Sequence, residues 1–309
     1  MYYKTGYYSA RTVNEIFDLW DRYPGARLVC GGSDLLQKIR DGEMDECNLI
    51  GLREIGEMQR IELREDGLVK LGAAVTLSQI TKDPIINENA RILKDAFEQI
   101  RRFQNNQVET LGGNLCNGAG NTHIAPICFL LDMQMLITRR KGTRVIGMEQ
   151  LYKENGETTL KEGEVLTHLL LPAKKYKDYT GHYLKYSPRK SEEGTDVGCG
   201  VICKLDPEKQ RLEDIRITFG LAPPVPHRCH VTEKELSGKP INKNLFSALG
   251  KAVTSELVER KDWKCGTAFR VKIGEELAKR TLHRALLKQD DVDEDMLKKI
   301  YVLRNEEEK

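Results

Sequence analysis

The stretch TLGGNLCNGAGNTHIAP, residues 110–126, removes side chains at Gly112, Gly113, Gly118 and Gly120 just ahead of the apolar run ICFLLDMQMLI. Glycine tolerates left-handed backbone and leaves room for close approach, so this stretch reads as a tight turn opening toward a helix. About eighty residues earlier, ARLVCGGSDLLQKIRDG repeats the device: a short apolar strand, Gly31-Gly32, Ser33 or Asp34 as a cap, then a helical segment. Bare N–H groups at such turns favour negative charge, and two of them in one lobe suit a ligand with two phosphates. Each turn alone is equally an ordinary glycine-rich corner. Neither carries GxGxxG, which excludes the Rossmann fingerprint.

A chain of 309 residues exceeds one average core, so two or three domains are expected. Its 49 basic and 47 acidic residues leave a net charge of +2, which offers no bulk attraction to nucleic acid or an anionic membrane. No apolar run approaches the ~18 residues of a membrane span, and a cytoplasmic location is expected. Cys30, Cys47, Cys116, Cys128, Cys199, Cys203, Cys229 and Cys265 are scattered without a CxxC pair, and read as thiols rather than disulfides. In PHRCH, His227, Cys229 and His230 crowd together without a second ligand pair at zinc spacing, so no metal is expected there.

Val13, Ile16, Phe17 and Trp20 have the spacing of one helix face, with Thr12 and Glu15 as a capping box. This helix, the strand before Gly31, the helix after it and NLIGL at 48–52 make a βαβ-like lobe. MQRIEL and LVKLGA flank Asp66-Gly67 as a hairpin. Ile92, Leu93, Ala96, Phe97 and Ile100 mark another helix, and MQMLIT, TRVIGM and VLTHLLL are strands. Pro172 and KKYKD mark a boundary. Beyond it HYLKY, GCGVICKL and IRITFGL predict a three-stranded antiparallel meander, covered by helices from LFSALGKAVTSELVER and AFRVKIGEELAKRTLHRALL. The resulting division is 1–175, with lobes of about 1–55 and 56–175, then 176–288 and a charged tail at 289–309.

LVCGGSDLLQKIRDG, TLGGNLCNGA, HYLKYSPRK and FGLAPPVPHRC, in this order, resemble the FAD-binding (medium) subunit of the xanthine dehydrogenase family of molybdenum hydroxylases, and the resemblance covers nearly the whole chain. It implies an α+β chain: a two-lobed FAD-binding domain of the vanillyl-alcohol-oxidase-like (PCMH) type, then a sheet-and-helix domain. It implies an electron-transfer subunit that passes electrons from iron–sulfur centres on a partner through FAD to NAD or another soluble acceptor. The implied partners are a molybdopterin-binding large subunit and a small [2Fe–2S] subunit, in a dimer of heterotrimers. The second turn runs into the apolar segment without a cysteine-rich insert, so no cluster is expected in this chain.

Carried over by position, the first flavin loop is Leu28, Val29, Cys30, Gly31, Gly32, Ser33, Asp34 and Leu35, and the second is Thr110, Leu111, Gly112, Gly113 and Asn114. Ile100 and Leu166 fall at apolar flavin-side positions, and Lys185 where the family places a lysine near the isoalloxazine. Cys116 and Asn117 stand beside the second loop. The chain departs from the family pattern at Asn106, at Glu109, at His123 in place of a cofactor-bonding aspartate, and at Glu193. Two functions therefore stand side by side: an electron-transfer flavoprotein subunit, and a scaffold subunit that has lost or altered FAD binding.

Overall fold

The first lobe alternates strand and helix: β1 (Tyr7–Ser9), α1 (Val13–Arg22), β2 (Arg27–Val29), α2 (Leu35–Arg40) and β3 (Leu49–Gly51). Both crossovers return the chain parallel, so β3 lies between β1 and β2. Thr12 caps α1 by accepting from the Glu15 N–H, while the Glu15 carboxylate reaches the Arg11 N–H at 2.7 Å instead of closing the expected box on Thr12. The Trp20 indole donates to the Ala26 carbonyl at 2.8 Å and pins α1 to the start of β2. This computed structural model describes residues 6–45, 47–100, 107–118, 124–186, 197–220, 225–258 and 267–288.

The second lobe is an antiparallel sheet with helices inserted between its strands. β4 (Ile61–Leu63) and β5 (Val69–Gly72) form the expected hairpin, with Gly67 at φ +77° in its turn. After α3 (Leu77–Lys82), α4 (Pro84–Asn89), α5 (Arg91–Ile100), α6 (Leu111–Cys116) and α7 (Ala125–Leu130) come β6 (Gln134–Thr138), β7 (Thr143–Gly147) and β8 (Val165–Leu171). The five strands lie in the order β4-β5-β8-β6-β7. Helix α3 is started by a complete capping box between Thr76 and Gln79, and α4 by Asp83 with proline in its first turn.

The C-terminal sheet differs from expectation by one strand. β9 (Thr180–Tyr186), β10 (Val197–Leu205) and β11 (Leu212–Gly220) form the meander, and β12 (His227–Arg228) adds a fourth strand against Thr218 and Phe219. Two residues are too few to show a period-two pattern. Helices α8 (His230–Leu236), α9 (Lys243–Val258) and α10 (Thr267–Leu286) follow. The near-continuous apolar run of β10 is explained by burial on both faces. Val201 and Cys203 enter the core shared with α9 and α10, and Ile202 enters the core of the preceding sheet.

A charged network crosses between the two large sheets. Asp132, in the left-handed region at φ +45°, accepts from Arg228 at 2.6 Å and from Lys175 at 2.6 Å. Arg228 also donates to the Phe129 carbonyl at 3.2 Å and pairs with Glu233. Arg216 donates to the Lys175 carbonyl at 3.1 Å and to the Tyr179 hydroxyl at 2.9 Å. Removal of one member would leave buried charge uncompensated, so this network holds the halves in register.

Candidate functional site

The first glycine turn leaves β2 at Val29 and enters α2 at Leu35, with Gly32 at φ +74°. Among the described residues, the backbone N–H groups from Cys30 through Leu35 make no hydrogen bond, since α2 takes its first bonds from the Leu36 N–H to the Gly32 carbonyl and from the Lys38 N–H to the Asp34 carbonyl. Successive N–H groups around a left-handed residue make an anion-binding concavity.

The second turn behaves differently. The Leu111 N–H donates to the Val75 carbonyl at 2.9 Å, Gly112 to the Ala73 carbonyl at 2.8 Å, Gly113 to the Thr110 hydroxyl at 3.3 Å and Asn114 to the Thr110 carbonyl at 2.9 Å. Its amides are therefore committed to protein, contrary to the expectation of two bare backbones. Gly112 is required for packing, because a Cβ there would lie 2.6 Å from the Ala73 Cβ and 2.9 Å from the Ala73 carbonyl oxygen.

The two turns touch. A Cβ on Gly31 would lie 2.1 Å from the Val108 carbonyl oxygen, and the Lys38 ammonium donates to Asn117 at 3.1 Å. Lys38 also pairs with Asp34 at 2.7 Å. Between the turns opens a cavity of about 590 Å³, within the range of small-molecule and cofactor sites. Leu28 through Leu35, Thr110, Gly112, Gly113, Asn114 and Leu166 all line it, with Cys116 and Asn117. Leu111 is buried behind the wall. Lys185 lies on β9 opposite Gly198 and does not line the cavity. The Ile100 side chain, His123, Asn106 and Glu193 fall outside the described residues.

The sequence reading missed Lys38, Ala73, Ala74 and Glu164 in this wall. Only the small residues of GAAV hinted at close packing; Lys38 and Glu164 looked like ordinary surface charges. Arg144 grips Glu164 through two bonds of 2.8 and 2.7 Å, which brings its carboxyl down to about 2. Glu109 runs the other way, since burial pushes its carboxyl above the usual range despite a hydrogen bond with Asn114. Burial likewise raises the Cys30 thiol, against the opposing pull of Thr110 and Arg53.

Residues 3–174 match the family model described as the FAD binding domain in molybdopterin dehydrogenase. The chain belongs to that family. Residues 182–285 match the CO dehydrogenase flavoprotein C-terminal domain. The chain is 26% identical over 280 residues to the xanthine dehydrogenase FAD-binding subunit of Escherichia coli O157:H7, covering 91% of this chain and 95% of the relative. It is 24% identical over 282 residues to the carbon monoxide dehydrogenase medium chain of Hydrogenophaga pseudoflava, covering 90% and 96%. Two solved structures share its fold. Carbon monoxide dehydrogenase from Hydrogenophaga pseudoflava lacking the Mo-pyranopterin moiety aligns with a TM-score of 0.82 at 22% identity, over 93% of this chain and 99% of that one. Quinoline 2-oxidoreductase from Pseudomonas putida 86 aligns at 0.83 and 22%, with the same coverages.

This FAD-binding chain is thus an oxidoreductase subunit of the molybdenum hydroxylase family, with the mixed α/β fold of the carbon monoxide dehydrogenase medium chain. The cavity fits the cofactor. Its unbonded N–H groups from Cys30 through Leu35 suit a diphosphate, and the apolar Leu28, Val165 and Leu166 offer surface to an aromatic ring system. No helix among the described residues is long and apolar enough to cross a membrane.

Proposed function

We propose that this chain holds FAD between its two glycine turns and relays electrons within a molybdenum hydroxylase complex, from the small [2Fe–2S] subunit to NAD or another soluble acceptor. The row of N–H groups from Cys30 through Leu35, without a hydrogen bond among the described residues and belonging to residues that line the cavity, carries this reading. When bound, FAD supplies a carrier that exchanges electrons singly with iron–sulfur centres and in pairs with a nicotinamide.

The chain's own residues bind and orient. The first turn would hold the diphosphate through main-chain hydrogen bonds, with Gly32 supplying the left-handed conformation of that turn. Lys38, between Asp34 and Asn117, places a positive charge in the wall and ties α2 to the end of α6. Leu166, on β8, would offer the flavin an apolar surface. Substrate hydroxylation belongs on the molybdopterin-binding large subunit, and the working assembly is a dimer of heterotrimers in the cytoplasm. We read 1–175 as a two-lobed FAD-binding domain of the vanillyl-alcohol-oxidase-like type and 176–288 as the second domain, consistent with the separate core beneath α9 and α10.

One observation favours the alternative of a scaffold subunit: Glu109 brings a carboxyl into the wall of a cavity meant for an anion. Purification of the intact complex distinguishes the two. FAD at one per chain, with absorbance near ~450 nm, is expected of the flavin carrier. A colourless, folded complex that takes up no FAD on reconstitution would overturn the proposal.

A further inference from the structure

The fold gathers three metal-ligating groups outside the lining of the flavin cavity. His227 stands on β12, Cys229 immediately precedes α8, and Glu256 lies near the end of α9. One ligand atom from each lies within 4.8 Å of the others. None of the three lines the flavin cavity. His230, the neighbour in sequence, turns away to Glu149 at 2.7 Å. The third donor therefore comes from a helix that a linear motif cannot reveal.

We propose that His227, Cys229 and Glu256 form a zinc site. An imidazole nitrogen, a thiolate and a carboxylate oxygen are the three donor types that zinc accepts together, whereas calcium and magnesium favour oxygen alone. Charge balances: coordination releases the Cys229 thiol proton to solvent, and the thiolate and Glu256 carboxylate offset the two positive charges of the ion. Cys229 is fully buried, and the side chains of His227 and Glu256 are 21% and 10% exposed, so the donors sit in a shielded recess that solvent still reaches.

The carboxylate is already oriented. Its Oε2 accepts from the Thr232 N–H at 2.9 Å and the Thr232 hydroxyl at 2.7 Å, while Oε1 lies 3.2 Å from the His227 Nε2. That division of labour leaves one oxygen for the ion and one for outer hydrogen bonds. Ligand atoms around tetrahedral zinc are separated by roughly 3.3–3.8 Å, so closure needs movements of about 1 Å or less. Glu256 also lines a groove of about 470 Å³ between α8 and α9, through which water can supply a fourth ligand. The ion would tie the edge strand β12 to α9.

The test uses the full chain, stripped with a chelator and reloaded with Zn²⁺ or Co²⁺. One zinc per chain and a near-ultraviolet cobalt–thiolate absorption band are expected. Cys229→Ser should abolish the band. His227→Gln, at a partly exposed position that spares the core, should weaken zinc binding at least about tenfold without changing FAD content. No stoichiometric zinc in the wild-type chain, no cobalt–thiolate band, or unchanged zinc affinity in His227→Gln would each overturn the site and leave an ordinary His227–Glu256 ion pair.

Discussion

The Val108 carbonyl oxygen occupies the space where a side chain on Gly31 would begin, 2.1 Å from the position of a Cβ. The glycine that opens the first turn is thus demanded by the approach of the second, before any ligand arrives. Gly32 serves a separate purpose through its φ of +74°. One glycine admits protein backbone, and the other takes a left-handed conformation that a side chain would strain.

Gly31→Ala should push the turns apart and reduce flavin content severely, with a stability loss of about 1–3 kcal/mol from overpacking. Gly112→Ala should destabilise by a similar amount by driving α6 off Ala73, since it meets packed protein rather than the ligand. Chemical denaturation together with flavin occupancy checks both. Full occupancy and wild-type stability in Gly31→Ala would refute the contact.

Glu109→Gln should tighten FAD binding about three- to tenfold at neutral pH by removing a negative charge from the wall of the cavity proposed for FAD. Because burial raises the Glu109 carboxyl, wild-type affinity should be highest where this group is protonated and fall as pH rises through its raised value. The variant should lose that slope, which flavin-fluorescence titrations across pH would register.

His182 lies buried on β9 with neither ring nitrogen hydrogen-bonded among the described residues, and burial, aided by Lys288 and Arg284, lowers it to about 4. The unfolded chain therefore binds the proton more readily. The stability contributed by neutral His182 is complete above pH 6.5 and lost as pH falls toward 4, on the order of 3 kcal/mol. His182→Leu should flatten the decline in denaturation midpoint across this window.

Asp132 is held below the usual carboxylate range: burial opposes ionisation, but Arg228, Lys175 and Arg216 together outweigh it. Asp132→Asn should cost about 3 kcal/mol by leaving those cations without their shared anion, while asparagine still tolerates the left-handed backbone. In the wild type this contribution is present above pH 3.8 and disappears on further acidification. Denaturant titration of both proteins at pH 7 and pH 3 measures it.

Legibility in the sequence followed the range of the interaction. The Thr12 cap and the Asp66-Gly67 hairpin are readable because each depends on residues a few positions apart, and the strands of the βαβ segment and of the C-terminal meander because their own apolar runs mark them. Helices α3 and α4 were not read: each has six residues and is set by its caps rather than by a long apolar stripe. Strand β12 escaped because pairing with β11, not its own pattern, makes it a strand.

By itself the sequence determined that the chain turns at Gly31-Gly32 and Gly112-Gly113, that small residues crowd both places, and that an anionic ligand suits such a backbone. Only the tertiary structure decided which turn keeps its N–H groups available. The hydrogen bonds that commit Leu111 and Gly112 go to Val75 and Ala73, well upstream, and the partner that joins His227 and Cys229 is Glu256, on a later helix. A main-chain donor looks the same in sequence whether or not an acceptor waits for it; its availability depends on what folding brings within about 3 Å.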